Sequence, residues 1–468
     1  MEVVWPKYKP ILLIIGLIWS FKMVEKTLLN ISITRLTSLG VEYDLRNVVV
    51  VVSLHQAIRD ISIVVFAYTV GVCTHRLGRY WMVVFPTTAF TIGLVLSFLV
   101  PGSIGLWFFF PAMVVMALAQ AALTVTLKAF LDDQFRPKYD DDERKRHTEL
   151  WWTLISLLAA IFALLEPSMG FHLKKLKLLL FILMGFIFLL FLLGFKCYYD
   201  DGSRSFNFKL PATSTTTVKY PVNLKLFWVS LPILSLISAS GSTFFLLEAS
   251  TLAHDNLTYI LILDNVMRVM EFVAREASTY VVKNLKGLNL QKVELVRIGI
   301  GVWCCPLCCN IAVMNATHRK YDTADTMSVF WLAPQFFLLG LMTGLAKDGF
   351  RSLYESQVEP HQLKKFGSAL GDLGSGVGSL LNILCIVVFG WHFNWFQNNI
   401  ADSSLDMYYN FLSNLSVAHV MIYLPAALWY IGPSLFLWDD EKLEGKLLEL
   451  AEQGEKSSQL GTEKVQEC

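Results

Sequence analysis

"DDGSRSFNFKLPATSTTTVKYPV", residues 200–222, is polar, rich in Ser and Thr, and broken by two prolines. A segment punctuated in this way reads as a linker between folded blocks. What flanks it decides the fold. Before it lie apolar runs near 10–33, 47–71, 80–100, 104–128, 150–166 and 177–196; after it lie runs near 225–247, 258–280, 296–314, 327–346, 367–390 and 411–437. Each is close to the ~20 residues an α-helix needs to cross a bilayer. The expected architecture is therefore all-α and polytopic, a six-plus-six bundle of about twelve transmembrane helices. Its parts are an N-terminal six-helix bundle (1–199), a cytoplasmic linker (200–222), a C-terminal six-helix bundle (223–437) and a charged cytoplasmic tail (438–468).

Composition agrees with that reading. Of 468 residues, 54% are hydrophobic and only 16% charged, and the mean hydropathy is +0.51, outside the range of a soluble domain. A net charge of +1, with no basic patch interleaved with aromatics, gives no reason to expect nucleic acid as a partner. Lys7 and Lys9 precede an apolar stretch that runs past Leu28 without a small-residue cleavage site, so the start does not read as a cleaved signal peptide.

Lys and Arg in the short loops concentrate on one side, including Arg76, Arg79, Arg136, Lys138, Arg144 and Lys145, which predicts that both termini are cytoplasmic. The plasma membrane and the vacuolar membrane both suit such a chain. Two sequons, at Asn256 and Asn315, then fall in outer or lumenal loops as glycosylation candidates, whereas Asn414 lies within a span.

The first span carries an anomaly. "SFKMVEKTLL", residues 20–29, places Lys22, Glu25 and Lys26 at membrane depth. Ionisable groups there cost about 2.5–3.5 kcal/mol each on insertion scales and generally face a protein interior or a wet cavity. Lys22 and Glu25, three apart, share a helix face and can pair locally. The second span adds Arg59 and Asp60, with His55 and Gln56 one turn earlier. The eighth carries Asp264 and Arg268, then Glu271 and Arg275, both at a spacing of four, which reads either as a self-paired ladder or, at Arg268, as an anion contact.

Several other patterns are set aside. "WCCPLCC" (303–309) brings thiols together at helical spacing, but inside a span and without His or carboxylates, so it reads as packing and no metal is expected. "DDDE" (140–143) lacks a second acidic cluster across a cavity and reads as a solvated loop. Gly374, Gly376 and Gly378 lie inside a span, where small residues permit close helix packing. With no nucleophile–base pair and no phosphate cradle, neither an enzyme nor a cofactor is expected.

Six strings in order carry a family resemblance: "LGRYW" (77–81), "AFLDDQF" (129–135), "WW" (151–152), "RIGIG" (297–301), "VFWLAPQFFLLG" (329–340) and "WFQNNIADSSLDMYYNFLS" (395–413). Together they resemble the plant nitrate and peptide transporter family, the proton-dependent oligopeptide transporter branch of the major facilitator superfamily. The resemblance implies an alternating-access carrier of small solutes, such as nitrate, other small anions or short peptides, moved with or without protons across a lipid bilayer. It also implies coupling residues from which this chain departs. The family's Glu-x-x-Glu-Arg/Lys motif reads Lys22-Met-Val-Glu25-Lys26 here; the helix-four Lys falls on Thr124, with Lys128 a turn away; the helix-ten Glu falls on Thr343, with Lys347 and Asp348 beyond; and the gate Asp between helices two and three is Thr74, near Arg79. Glu248 reads as a gate or rim residue. Proton coupling is expected to be weakened, and a transporter-fold sensor or regulatory protein is the alternative.

Overall fold

The computed structural model describes residues 10–25, 45–99, 104–135, 140–168, 173–198, 224–252, 257–284, 290–321, 327–357, 367–397 and 402–431. Lys26, the linker, Asn256 and the tail lie outside these residues, and Thr74 belongs to a described helix without its side chain being described.

Twelve helical stretches account for nearly all of it. The first six are α1 (10–25), α2 (Leu45–Leu77), α3 (Arg79–Leu99), α4 (Ile104–Phe135), α5 (Asp141–Ser168) and α6 (Leu173–Leu193). Next, α7 runs from Leu224–Ser240 through a π-helical turn, Gly241–Phe245, into Leu246–Leu252. It is followed by α8 (Leu257–Asn284), α9 (Leu290–Tyr321), α10 (Ala333–Gln357), α11 (Gly367–His392) and α12 (Leu405–Ile431). No strand occurs among the described residues. Compactness divides the chain into two units, Met1–Val420 and Met421–Cys468; all relationships described below lie within the first.

Eight described helices are long and apolar enough to cross a membrane: α2, α3, α4, α7 and α9 to α12. The others fall short for local reasons. Only 16 residues of α1 are described, and α6 offers the shorter apolar run Leu178–Leu193. The charges of α8 dilute its hydropathy, and α5 begins with the polar turns "DDERKRHTE". Those polar turns correct the loop expected at "DDDE". Asp140 accepts the Arg144 amide at 2.8 Å, and Asp132 at the end of α4 receives both Arg144 Nε at 2.9 Å and the Thr148 hydroxyl at 3.0 Å. The bonds of α4 to α5 thus extend the helix past its apolar part.

Packing sets where the polar residues of the spans can go. In the first half, Ile14, Leu17, Phe21, Phe90, Met116, Phe130 and Phe191 form one buried cluster linking α1, α3, α4 and α6. In the second half, Phe244 stacks on Phe396 at 5.3 Å, and both pack against Tyr408. Two glycines of α10 let it approach α8 closely: a Cβ at Gly340 would strike the Met267 carbonyl, and one at Gly344 the Glu271 carbonyl. Such backbone proximity needs a residue without a side chain. It fixes the position of Arg268 and Glu271 on α8 relative to Thr343 and Lys347 on α10.

Candidate functional site

With the apolar faces committed to cores and lipid, ten of the charged side chains converge on one cavity of about 430 Å³. Its walls come from α1, α2, α4 and α5 of the first six helices and from α7, α8, α10 and α11 of the second six. The volume is within the roughly 300–1,000 Å³ typical of small-molecule sites.

On the first-half wall, Lys22 Nζ lies 2.7 Å from Glu25 Oε2, and its ammonium sits over the Trp152 ring at 5.1 Å from the centroid. Both side chains are mostly buried, 12% and 18% exposed, so neither reaches bulk water by snorkelling. The other Glu25 oxygen is 3.9 Å from Arg59 Nη1, and Arg59 Nε meets Asp60 at 2.8 Å. The four residues form one alternating chain of charge. Behind it, His55 Nδ1 is 3.0 Å from the Met113 carbonyl and Nε2 is 3.2 Å from Gln120 Oε1. Thr124 lines the cavity but donates its hydroxyl to the Gln120 carbonyl.

On the second-half wall, Arg268 Nε donates to Asp264 at 2.8 Å. Lys347 reaches Asp372 at 3.0 Å and the Ser375 hydroxyl at 3.2 Å. Thr343 faces the cavity with its hydroxyl spent on the Leu339 and Gly340 carbonyls. The expected Glu271–Arg275 pair does not form. Instead Arg275 Nε lies 3.3 Å from Glu276 and Nη2 lies 3.4 Å from the Thr153 hydroxyl on α5, because a tertiary partner competes with the helical neighbour.

Five cations (Lys22, Arg59, Arg268, Arg275, Lys347) thus face five carboxylates (Glu25, Asp60, Asp264, Glu271, Asp372), a formal sum of zero with His55 neutral. A second cavity of about 570 Å³ shares Thr124, Trp152, Glu271, Thr343 and Lys347 with the first and continues to the ends of α4 and α5 at Asp132, Lys145 and Glu149. Lys128 lines this outer part, paired with Glu149 at 2.6 Å.

The remaining candidates lie elsewhere. Arg79, opening α3, braces the end of α4 through Asp133 at 2.5 Å and the Ala129 carbonyl at 3.2 Å. Glu248 is completely buried, 3.3 Å from the Tyr409 hydroxyl and 3.5 Å from Arg319, so it is an interior group and not a rim residue. Asn315 is also buried, its amide donating to the Trp331 carbonyl and Gln335 Oε1 at 3.1 Å each. A glycan there would displace both bonds. Gln120, Asp133, Asp372 and Ser375 were not singled out from sequence; Asp372 could have been, as a carboxylate inside an apolar run.

No protein-family profile matches the chain. Among curated proteins, NRT1/PTR FAMILY 5.5 of Arabidopsis thaliana is 30% identical over 135 residues, 27% of this chain and 26% of that protein. NRT1/PTR FAMILY 7.3 of Arabidopsis thaliana is 26% identical over 250 residues, 47% of this chain and 39% of that protein. The chain therefore matches between 26% and 39% of the length of these relatives. Among solved structures, a peptide transporter POT in complex with sulfate superposes with a TM-score of 0.69 at 14% identity, covering 90% of this chain and 94% of that one. The nucleoside transporter NupG gives a TM-score of 0.58 at 12% identity, covering 89% and 98%. The fold is shared with these solved transporters, and part of the chain is similar to curated plant proteins of the NRT1/PTR family. The chain is an integral membrane protein.

Proposed function

We propose that the protein is a transmembrane carrier of small solutes working by alternating access. The carrying observation is the cavity whose walls come from four helices of each six-helix block and hold ten Lys, Arg, Asp and Glu side chains. Carriers of this layout bind solute between their halves and rock about that point. Ionisable groups are retained at membrane depth where they meet a solute, an ion or each other. The names of the similar proteins, NRT1/PTR family members and transporters of peptides and nucleosides, support the same reading.

The balance of charge bears on the solute. A cavity with an excess of cations would attract nitrate or another bare anion; five carboxylates beside five cations favour a solute carrying charges of both signs, such as a short peptide. The division into bundles 1–199 and 223–437, cytoplasmic termini, and residence in the plasma or vacuolar membrane belong to this proposal. So does weakened proton coupling, given Lys22, Thr124 and Thr343 at positions where the family has other ionisable or acidic groups. Uptake into proteoliposomes from a panel of nitrate and dipeptides tests it. Saturable, protein-dependent uptake is expected, whereas binding without flux would favour a sensor.

A further inference from the structure

The two six-helix blocks are also joined away from the charged walls. Asn382 on α11, in the second block, donates its amide to the Ser53 hydroxyl on α2, in the first, at 3.1 Å. Both side chains are fully buried. The other bonds of Asn382 stay within its own block: the amide also donates to Thr243 at 3.3 Å, and the carbonyl oxygen accepts from Ser240 at 2.8 Å and Tyr408 at 2.9 Å. These hold the side chain in place while its remaining bond reaches across. The two backbones come close enough for that because Gly376 has no side chain: a Cβ there would lie 2.7 Å from Ile61 Cγ1, 3.1 Å from the Ile61 nitrogen and 3.4 Å from the Ala57 carbonyl oxygen. Ser53, Ala57 and Ile61, four apart, lie on one face of α2.

Position along the helices gives the bond its meaning. Beyond Ser53, α2 lines the first cavity from His55 to Ile63 and then the second cavity at Ala67. Helix α11 runs the other way, lining the second cavity at Gly371, the first at Asp372, Ser375 and Ser379, and only then reaching Asn382. Both helices therefore put the Asn382–Ser53 bond past the first cavity, at the end opposite the vestibule that the second cavity forms. In a carrier that rocks about a central site, the blocks part at each end in turn, so a buried bond between them breaks whenever its own end opens. We propose that Asn382 and Ser53 form a neutral latch that keeps the end opposite the vestibule shut and sets how often that end opens. The inference rests on the carrier reading and goes beyond it to a conformational device outside the charged walls. Release costs Asn382 one partner and leaves it three, so the latch opens without dismantling the second block.

The experiment places a reporter, Ser379→Cys, in the first cavity of the full-length protein and measures its labelling by a membrane-impermeant maleimide added to one face or the other of sealed vesicles, with the labelled peptide identified by mass spectrometry. The reporter alone should react faster from the vestibule face. Adding Ser53→Ala removes the cross-block acceptor and should raise the rate from the opposite face by about three- to tenfold, the scale of one neutral hydrogen bond, with no rise from the vestibule face. Ser53→Thr keeps a hydroxyl and should label as the reporter alone does. Gly376→Ala, which forces α11 away from α2, should reproduce the one-sided rise and decides the matter if Ser53→Ala does not fold. An unchanged rate from the opposite face, an equal rise from both faces as in a merely loosened protein, or a Ser53→Thr variant that behaves as Ser53→Ala overturns the latch. Protein-dependent uptake of a dipeptide or nitrate alongside any of those results leaves the carrier reading standing. A one-sided rise in a protein that moves no solute keeps the latch and removes the carrier.

Discussion

Glu25 is shared between two cations from different helices: Lys22, 2.7 Å away on its own helix α1, and Arg59, 3.9 Å away on α2. The sharing grades the effect of removing either. Stranding a buried charge costs about 3–5 kcal/mol. With Arg59 in reserve, Lys22→Ala should cost less, about 1–3 kcal/mol, and Glu25→Gln at least as much because Lys22 then loses its carboxylate neighbour among the described residues. Thr124 lines the same cavity, so Thr124→Lys in the Lys22→Ala background should recover part of the loss. Thermal unfolding in detergent of the three variants measures this; a silent Lys22→Ala would mean the pair is solvated.

Asn382 joins four helices. Its amide donates to Ser53 on α2 at 3.1 Å and Thr243 on α7 at 3.3 Å, and its carbonyl oxygen accepts from Ser240 on α7 at 2.8 Å and Tyr408 on α12 at 2.9 Å. The side chain is fully buried. The π-helical turn of α7 starts immediately after Ser240 and contains Thr243, which brings both hydroxyls to the same amide. Asn382→Leu should cost about 2–4 kcal/mol, since several hydroxyls lose a partner at once. Tyr408→Phe should cost about 1 kcal/mol, because Ser240 keeps Asn382 as acceptor. A melting-temperature series in which the two variants are equal would contradict this ranking.

The fold was legible because bilayer-length apolar runs are the strongest signal a sequence carries, and each expected span coincides with a helix. Part of the site was legible for the complementary reason: Lys22, Glu25, Arg59 and Arg268 stand out against those runs. What failed depended on tertiary partners. Glu271 and Arg275 have the right spacing to pair, yet Thr153 on another helix takes a share of Arg275. Depth misled at Glu248, whose enclosure by Tyr409 and Arg319 comes from residues distant in the chain. Asp372 sat in a stretch read only for its glycines, although it anchors Lys347.

The glycines of α10 yield a further test. Gly344→Ala would drive a methyl group into the Glu271 carbonyl and separate α8 from α10. Overpacking of this kind costs about 1–3 kcal/mol. Transport should fall more than folded yield, because the displaced helices carry Glu271 and Lys347. Gly185→Ala, where a Cβ meets nothing within 4 Å, is the control and should be neutral.

Acid dependence should be shallow. Lys22, Thr124 and Thr343 replace groups on which the resemblance places coupling, and four of the five cavity carboxylates already have cations. Lowering the external pH by two units should raise initial uptake by less than about tenfold, a step equivalent to roughly 1.4 kcal/mol. Steep acid stimulation that collapses with a protonophore would restore full proton coupling.

The most direct test of the central claim is initial-rate uptake of labelled Ala-Ala into proteoliposomes containing the native protein or Thr343→Trp, whose indole would fill the cavity between α4 and α10. The account predicts saturable uptake by the native protein, and loss of it in Thr343→Trp although that variant folds and reconstitutes equally well. Uptake in Thr343→Trp undiminished from the native rate, or no protein-dependent flux of Ala-Ala or nitrate by the native protein, would contradict transport through this cavity.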